Sequence, residues 1–271
     1  MHILKPLLGA ALLALSAAGA QAANLQLLSA STSGSNQTVV STQAGESIVF
    51  TGNADDLSGL TEVLAFGAGN FAGSPAPVNG AGISNEWFRM ATLDASGAVT
   101  RFQATGSSAL NVYGPLDLGG LTESADIGLS ADLLVASDGE AVGTAVTVRL
   151  QLSAESLFSA TVAGSTDTPT FNLLVLDAAN TPLASYNGLT LNGRDTLDLS
   201  FSSAVGQTLS FSLSYANVLD VAPGVLGLPN SAESSALLQG SLTVTAVPEP
   251  HSLALLLAGL GVVGAVARRR R

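Results

Sequence analysis

The chain has 271 residues, only 11% of them charged, and a formal charge of −11. Between residues 23 and 247 lie four arginines (Arg89, Arg101, Arg149 and Arg194), no lysine, no histidine and 19 acids, a net charge of −15, and the whole chain lacks cysteine. This excludes Ser-His-Asp or Cys-His catalysis, a zinc site built on His or Cys, and a disulfide framework in that stretch. So acidic a region is also unsuited to binding nucleic acid or an anionic membrane face.

The N-terminus reads as a secretory signal peptide. Lys5 supplies a positive start, Leu7–Ala18 an apolar run of twelve residues, and Ala20-Gln21-Ala22 a small-x-small cleavage pattern. The apolar run is too short to span a bilayer comfortably, which disfavours an uncleaved anchor. Residues 1–22 are therefore expected to form a signal helix handled by the Sec export machinery and cut after Ala22.

Residues 23–246 read as one exported all-β domain, an antiparallel β-sandwich, jelly-roll-like or related. Period-2 alternation recurs in Val146–Leu152, Leu197–Phe201, Leu209–Tyr215 and Leu242–Ala246, with Ser, Thr and Asp opposite the apolar side chains. Further strands are expected at 25–31, 37–42, 47–51, 62–67, 86–93, 98–105, 126–136, 157–163, 170–176 and 182–187. Turns are expected at Asp94–Gly97, Ser137–Glu140, Asn187-Gly188, Asn192-Gly193 and Ser203–Gly206. The Gly-, Pro-, Ala- and Asn-rich stretches 68–82 and 220–235 read as loops, and 106–125 gives no clear pattern. In the hairpin at 87–104, a four-residue loop at 94–97 would pair Leu93 with Ala98 and keep Arg89 from facing Arg101, since like charges across a ladder repel.

Few residues in this region suggest chemistry. Trp87, beside Phe88, is either a sugar-stacking platform or a core residue, and Tyr113, Tyr186 and Tyr215 pose the same choice. Asp55-Asp56, Asp126 with Asp132, and Asp138 with Glu140 are candidate calcium ligands, although none forms an EF-hand series. The simpler reading is solvated surface acids. No cofactor is expected beyond that calcium alternative, and no carboxylate pair stands out as the acid and base of a glycosidase. Without histidine or cysteine, folding stability is expected to be nearly flat from about pH 6.5 to 8.5.

The C-terminal segment, 247–271, has three parts in order. Val247-Pro248-Glu249-Pro250 comes first, then the uncharged stretch 253–267, then Arg268, Arg269, Arg270 and Arg271. The fifteen-residue stretch extends about 22 Å as a helix, and snorkelling arginines make it a short transmembrane span. The arginines hold its far end in the cytoplasm.

This tail resembles a PEP-CTERM sorting signal, with His251 where members often carry a small residue. The resemblance implies that the chain is the substrate of an exosortase in Gram-negative bacteria that make extracellular polysaccharide. It also implies transient residence in the inner membrane through 253–267, then release to the cell surface or beyond. The expected role is that of a non-enzymatic surface or matrix protein associated with exopolysaccharide or biofilm. The alternatives are a carbohydrate- or calcium-binding adhesive module and, third, a carboxylate-dependent glycoside hydrolase.

Overall fold

The computed structural model describes residues 23–42, 47–53, 55–58, 62–73, 82–113, 118–137, 139–188, 191–222, 230–247, 259 and 268. The strands are β1 (Asn24–Thr42), β2 (Ser47–Asn53), β3 (Asp55–Ser58), β4 (Glu62–Gly73), β5 (Gly82–Asp94), β6 (Val99–Tyr113) and β7 (Leu118–Ala136). They continue as β8 (Ala145–Ala160), β9 (Thr166–Asp167), β10 (Thr170–Leu176), β11 (Pro182–Gly188), β12 (Arg194–Ala204), β13 (Thr208–Val221) and β14 (Asn230–Ala246).

Among the described residues these strands form two antiparallel sheets. The first runs β11-β10-β13-β7-β1-β2 with β9 added on β13, and the second runs β12-β8-β14-β6-β5-β4-β3. Alternation explains how they meet. Leu129, Leu133, Leu209, Phe211 and Leu213 of the first sheet and Phe102, Val148, Leu150, Leu238 and Leu242 of the second are buried in one shared cluster. Phe102 and Phe211 close the gap between sheets with ring centroids 5.2 Å apart, a contact worth about 0.5–1.5 kcal/mol beyond its burial. The outward positions are mostly Ser, Thr, Asn, Gln and charged residues, with a few apolar ones such as Phe88 and Leu157, so each sheet keeps one wet face.

Strand lengths differ from the sequence expectation. Segments 25–31 and 37–42 belong to one strand, β1, and 157–160 continue β8. The unread stretch 106–125 is strand on both sides of residues 114–117, and most of the expected loop 220–235 that is described belongs to β13 or β14. Residues 68–73 likewise continue β4. Asn187-Gly188 is not a turn: the two residues pair with Asn172 and Phe171 inside the β10–β11 ladder. The turn falls instead at 191–193, where Asn192 adopts φ 53°.

The β5–β6 hairpin also corrects the expected register. Leu93 pairs with Phe102 and Asp94 with Arg101, while Arg89 faces Gly106. The two arginines are kept apart as expected, but by a longer connection. Asp94 accepts the Ser96 N–H at 2.8 Å and so ends β5 in an Asx turn. The register then sets a carboxylate opposite Arg101.

Both ends of the two-sheet unit meet at one pole. Asn24 pairs with Ala136 and Ala246 with Val146, at the two ends of the connection between β7 and β8. Val247 extends the last ladder by one more bond, donating its N–H to Ala145 O at 3.0 Å. Ala20 and Ala22 of the expected cleavage site, Pro248, Glu249 and Pro250, the span 253–267 apart from Gly259, and Arg269, Arg270 and Arg271 lie outside the described residues. Gly259 and Arg268 are each helical. No helix among the described residues is long and apolar enough to cross a membrane.

Candidate functional site

The outer face of the second sheet carries a groove of about 990 Å³. Two ladder rungs build it. Glu86, Ala109, Glu233 and Ser159 stand abreast on β5, β6, β14 and β8, and Phe88, Ser107, Ser235 and Leu157 form the neighbouring rung. Small side chains on the two middle strands make the floor. Phe88 and Leu157, the latter 68% exposed, make apolar flanks. Both glutamates are exposed, and the lining contains no basic side chain. Glu86 and Glu233 are both rung neighbours of Ala109, two strand spacings apart, or roughly 10 Å between backbones.

A second groove of about 710 Å³ lies nearer the pole where β14 ends. Its rungs are Thr92–Gln103–Gln239–Ser153–Thr196 and Asp94–Arg101–Ser241–Gln151–Asp198. Here charges are compensated. Arg149 Nε donates to Asp198 Oδ1 at 2.8 Å, and Gln151 donates to the other oxygen at 3.1 Å. The Arg149 guanidinium holds the Asp198 carboxyl below its ordinary range. The rung Met90–Thr105–Leu237–Glu155–Arg194 divides the two grooves.

Behind the first groove, between the sheets, lies a polar cluster that breaks the apolar core. Arg89 is 1% exposed and points inward with Ala91 and Leu93. Its Nη2 donates to Ser108 Oγ at 2.7 Å, Asn217 Oδ1 at 2.6 Å and Glu123 Oε1 at 3.3 Å, and its Nη1 to the Phe88 carbonyl at 2.7 Å. The guanidinium carbon stands 5.5 Å from the Tyr215 ring centroid. Glu123 also accepts from Asn36 Nδ2 at 2.6 Å. Asp167 accepts from the Ser234 hydroxyl and, at 3.4 Å, from Asn217 Nδ2. Burial raises the pKa of both acids, against the opposing pull of Arg89.

The expected site residues are distributed differently. Trp87 is half-buried on the inward register, so Phe88 rather than Trp87 stands on the groove side of β5. Tyr215 is core, and Tyr186 is half-buried with its hydroxyl on Asp195 at 3.1 Å. Asp126 and Asp132 are six residues apart on β7, about 20 Å along an extended strand, so they do not form one site. Each is held by serine: Asp126 by Ser35, Asp132 by Ser29 and Ser210 at 2.8 Å. Asp55 and Asp56 lie on β3, and Asp138 is outside the described residues. Among the described residues no three His, Cys, Asp or Glu side chains group closely enough to hold a metal ion.

Sequence reasoning missed Arg89, Glu123, Asn36 and Asn217. The available signal was their phase: Arg89 occupies the parity of Ala91 and Leu93, and Glu123 that of Leu121, Ala125 and Ile127.

Residues 246–271 match the family model of the PEP-CTERM protein-sorting motif. The tail is a PEP-CTERM sorting signal. Such a motif implies export to the cell surface or beyond, with an exosortase as processing partner. The match begins at Ala246, the last residue of β14, so this PEP-CTERM motif follows the sheet without a spacer. A search of curated proteins finds no match. Among solved structures, TmCBM61 in complex with beta-1,4-galactotriose is similar at 8% identity and a TM-score of 0.26, covering 68% of this chain and 88% of that one. The N-terminal cellulose-binding domain of Cellulomonas fimi beta-1,4-glucanase C is similar at 13% identity and a TM-score of 0.22, covering 58% and 84%. At such identities and TM-scores these likenesses carry no functional weight.

Proposed function

We propose that this protein is exported, released from the inner membrane by exosortase cleavage at its PEP-CTERM tail, and retained at the cell surface or in the matrix by binding polysaccharide. The observation that carries the binding half is the groove between Phe88 and Leu157. An aromatic ring and a branched aliphatic side chain flank a floor of Ser107, Ser235 and Ala109, and Glu86 and Glu233 stand over it. Sugars present apolar C–H faces and hydroxyl edges, and this lining offers partners for both. An acidic rim without a basic residue favours neutral glycans over acidic ones.

The two exposed glutamates also motivate a hydrolase reading. Binding is preferred because a glycosidase acid must hold its proton near neutrality, which burial normally achieves. Glu86 and Glu233 lack that burial.

The test uses processed protein collected from the medium of an exosortase-positive host. Affinity electrophoresis against soluble mixed-linkage β-glucan, galactan, xylan and alginate should show retardation by a neutral glycan. Phe88→Ala should abolish it without changing the melting temperature. Equal mobility in every gel would remove the binding half, and intact mass retaining Arg271 would remove the processing half.

A further inference from the structure

The pole from which the PEP-CTERM tail departs is a hydrogen-bonded platform. Gly143 N–H bonds Val205 O at 2.9 Å, Val205 N–H bonds Thr144 O at 2.9 Å, and Gly206 N–H bonds Val135 O at 2.8 Å. These bonds join the β7–β8 connection to the β12–β13 turn. Gly143 and Gly206 take φ of 90° and 87°, a conformation glycine adopts without strain. Val142 sits over Gly206, where an added Cβ would come within 2.9 Å of its Cγ1. A tightly bonded connection thus holds an aliphatic side chain 83% exposed. On the same pole Val247, 43% exposed, remains tied to Ala145.

The geometry points to this pole, with Val142 as its apolar contact, as a docking surface for the membrane-bound enzyme that processes the tail. The inference rests on the reading that an exosortase acts there. Pro248 follows Val247, whose N–H is bonded to Ala145, three residues along the chain from Val142, so an enzyme engaging the motif at 248–250 works beside this pole. Glu140 and Asp177 lie on this pole's connections, while Asp94 is matched by Arg101 across the β5–β6 ladder. Such charge disfavours an anionic lipid surface as the occupant and suits a protein with a basic extracytoplasmic face.

The experiment follows processing of the full chain by pulse-chase in an exosortase-positive host, read as the mass shift on tail loss. Val142→Asp removes the apolar contact. A ten-residue Gly-Ser insertion between Val247 and Pro248 leaves every strand unchanged but separates motif from pole. Each should slow processing roughly ten-fold, the scale of losing one buried aliphatic anchor. Either variant matured at the parent rate overturns the docking inference while leaving the sorting reading intact. A parent chain that is never shortened overturns the sorting reading, and docking falls with it. Vesicles of phosphatidylethanolamine and phosphatidylglycerol that float processed parent protein but not Val142→Asp would assign the valine to lipid and also overturn it. Absence of flotation supports a protein occupant.

Discussion

Arg89 on β5 and Glu123 on β7 meet across the two sheets at 3.3 Å, with 1% and 0% of their side chains exposed. A buried pair adds little over a well-packed apolar pair, yet losing one member strands the other without water. Glu123→Ala should therefore destabilise the fold by about 3–5 kcal/mol in urea unfolding at neutral pH. The double variant Arg89→Met/Glu123→Leu should recover much of that loss. A Glu123→Ala cost below about 1 kcal/mol would show that Asn217, Ser108 and the carbonyls of Phe88 and Ser107 satisfy the arginine unaided.

The same cluster governs pH dependence. Glu123 and Asp167 have raised values in the folded state. A carboxyl raised on folding adds stability that is fully present below its unfolded value, near pH 4, and lost as pH rises through the folded value. The melting temperature should therefore fall on moving from mild acid upward through the raised values. Glu123→Gln combined with Asp167→Asn should flatten the slope. A melting temperature that rises with pH over the same interval would mean that Arg89 outweighs burial.

Gly106 faces Arg89 across the β5–β6 ladder, and a Cβ there would collide with the Tyr215 ring and come within 2.8 Å of Arg89 Cδ. Gly106→Ala should cost about 1–3 kcal/mol or more, because both large neighbours are fully enclosed. Gly97 is the control, since the nearest atom a Cβ would meet there is 4.0 Å away. Equal melting temperatures for the two alanine variants would refute the close packing.

This cluster also explains which strands were legible in the sequence. Val146–Leu152 and Leu209–Tyr215 announce themselves because every inward position is Val, Leu, Phe or Tyr. In β6 the inward series is Phe102, Ala104, Gly106, Ser108, Leu110, and in β14 it opens Asn230, Ala232, Ser234, Ala236. The apolar period lapses where small and polar side chains make room for Arg89 and Asp167. Those stretches therefore read as loop or gave no pattern, and the buried charges went unnoticed with them. The groove was less legible still: Glu86 and Glu233 are 147 positions apart in the chain and meet only through the register of β5, β6 and β14. By contrast the sorting tail is contiguous, and its order of motif, apolar stretch and arginines was readable directly.

Glu86 and Glu233 separate binding from hydrolysis. Replacing either by Gln should weaken retention of a neutral glycan several-fold and leave reducing-end release from that glycan at the buffer rate, before and after mutation. Sugar release by the parent protein that either substitution abolishes would convert the groove into an active site.

The first and last strands of the two-sheet unit are both interior ones: β1 lies between β7 and β2, and β14 between β8 and β6. A chain emerging N-terminus first can pair β1 with β2 early, but the second sheet stays split between β6 and β8 until β14 arrives. Its partners are distant, with Ala246 pairing to a residue 100 positions earlier, and such long-range closure is slow. The exported chain would then spend its transit with unpaired strand edges, the condition most prone to aggregation. If the sorting tail is held in the membrane as proposed, that tether would keep neighbouring half-folded chains apart while β14 finds its place, and would serve folding as well as address.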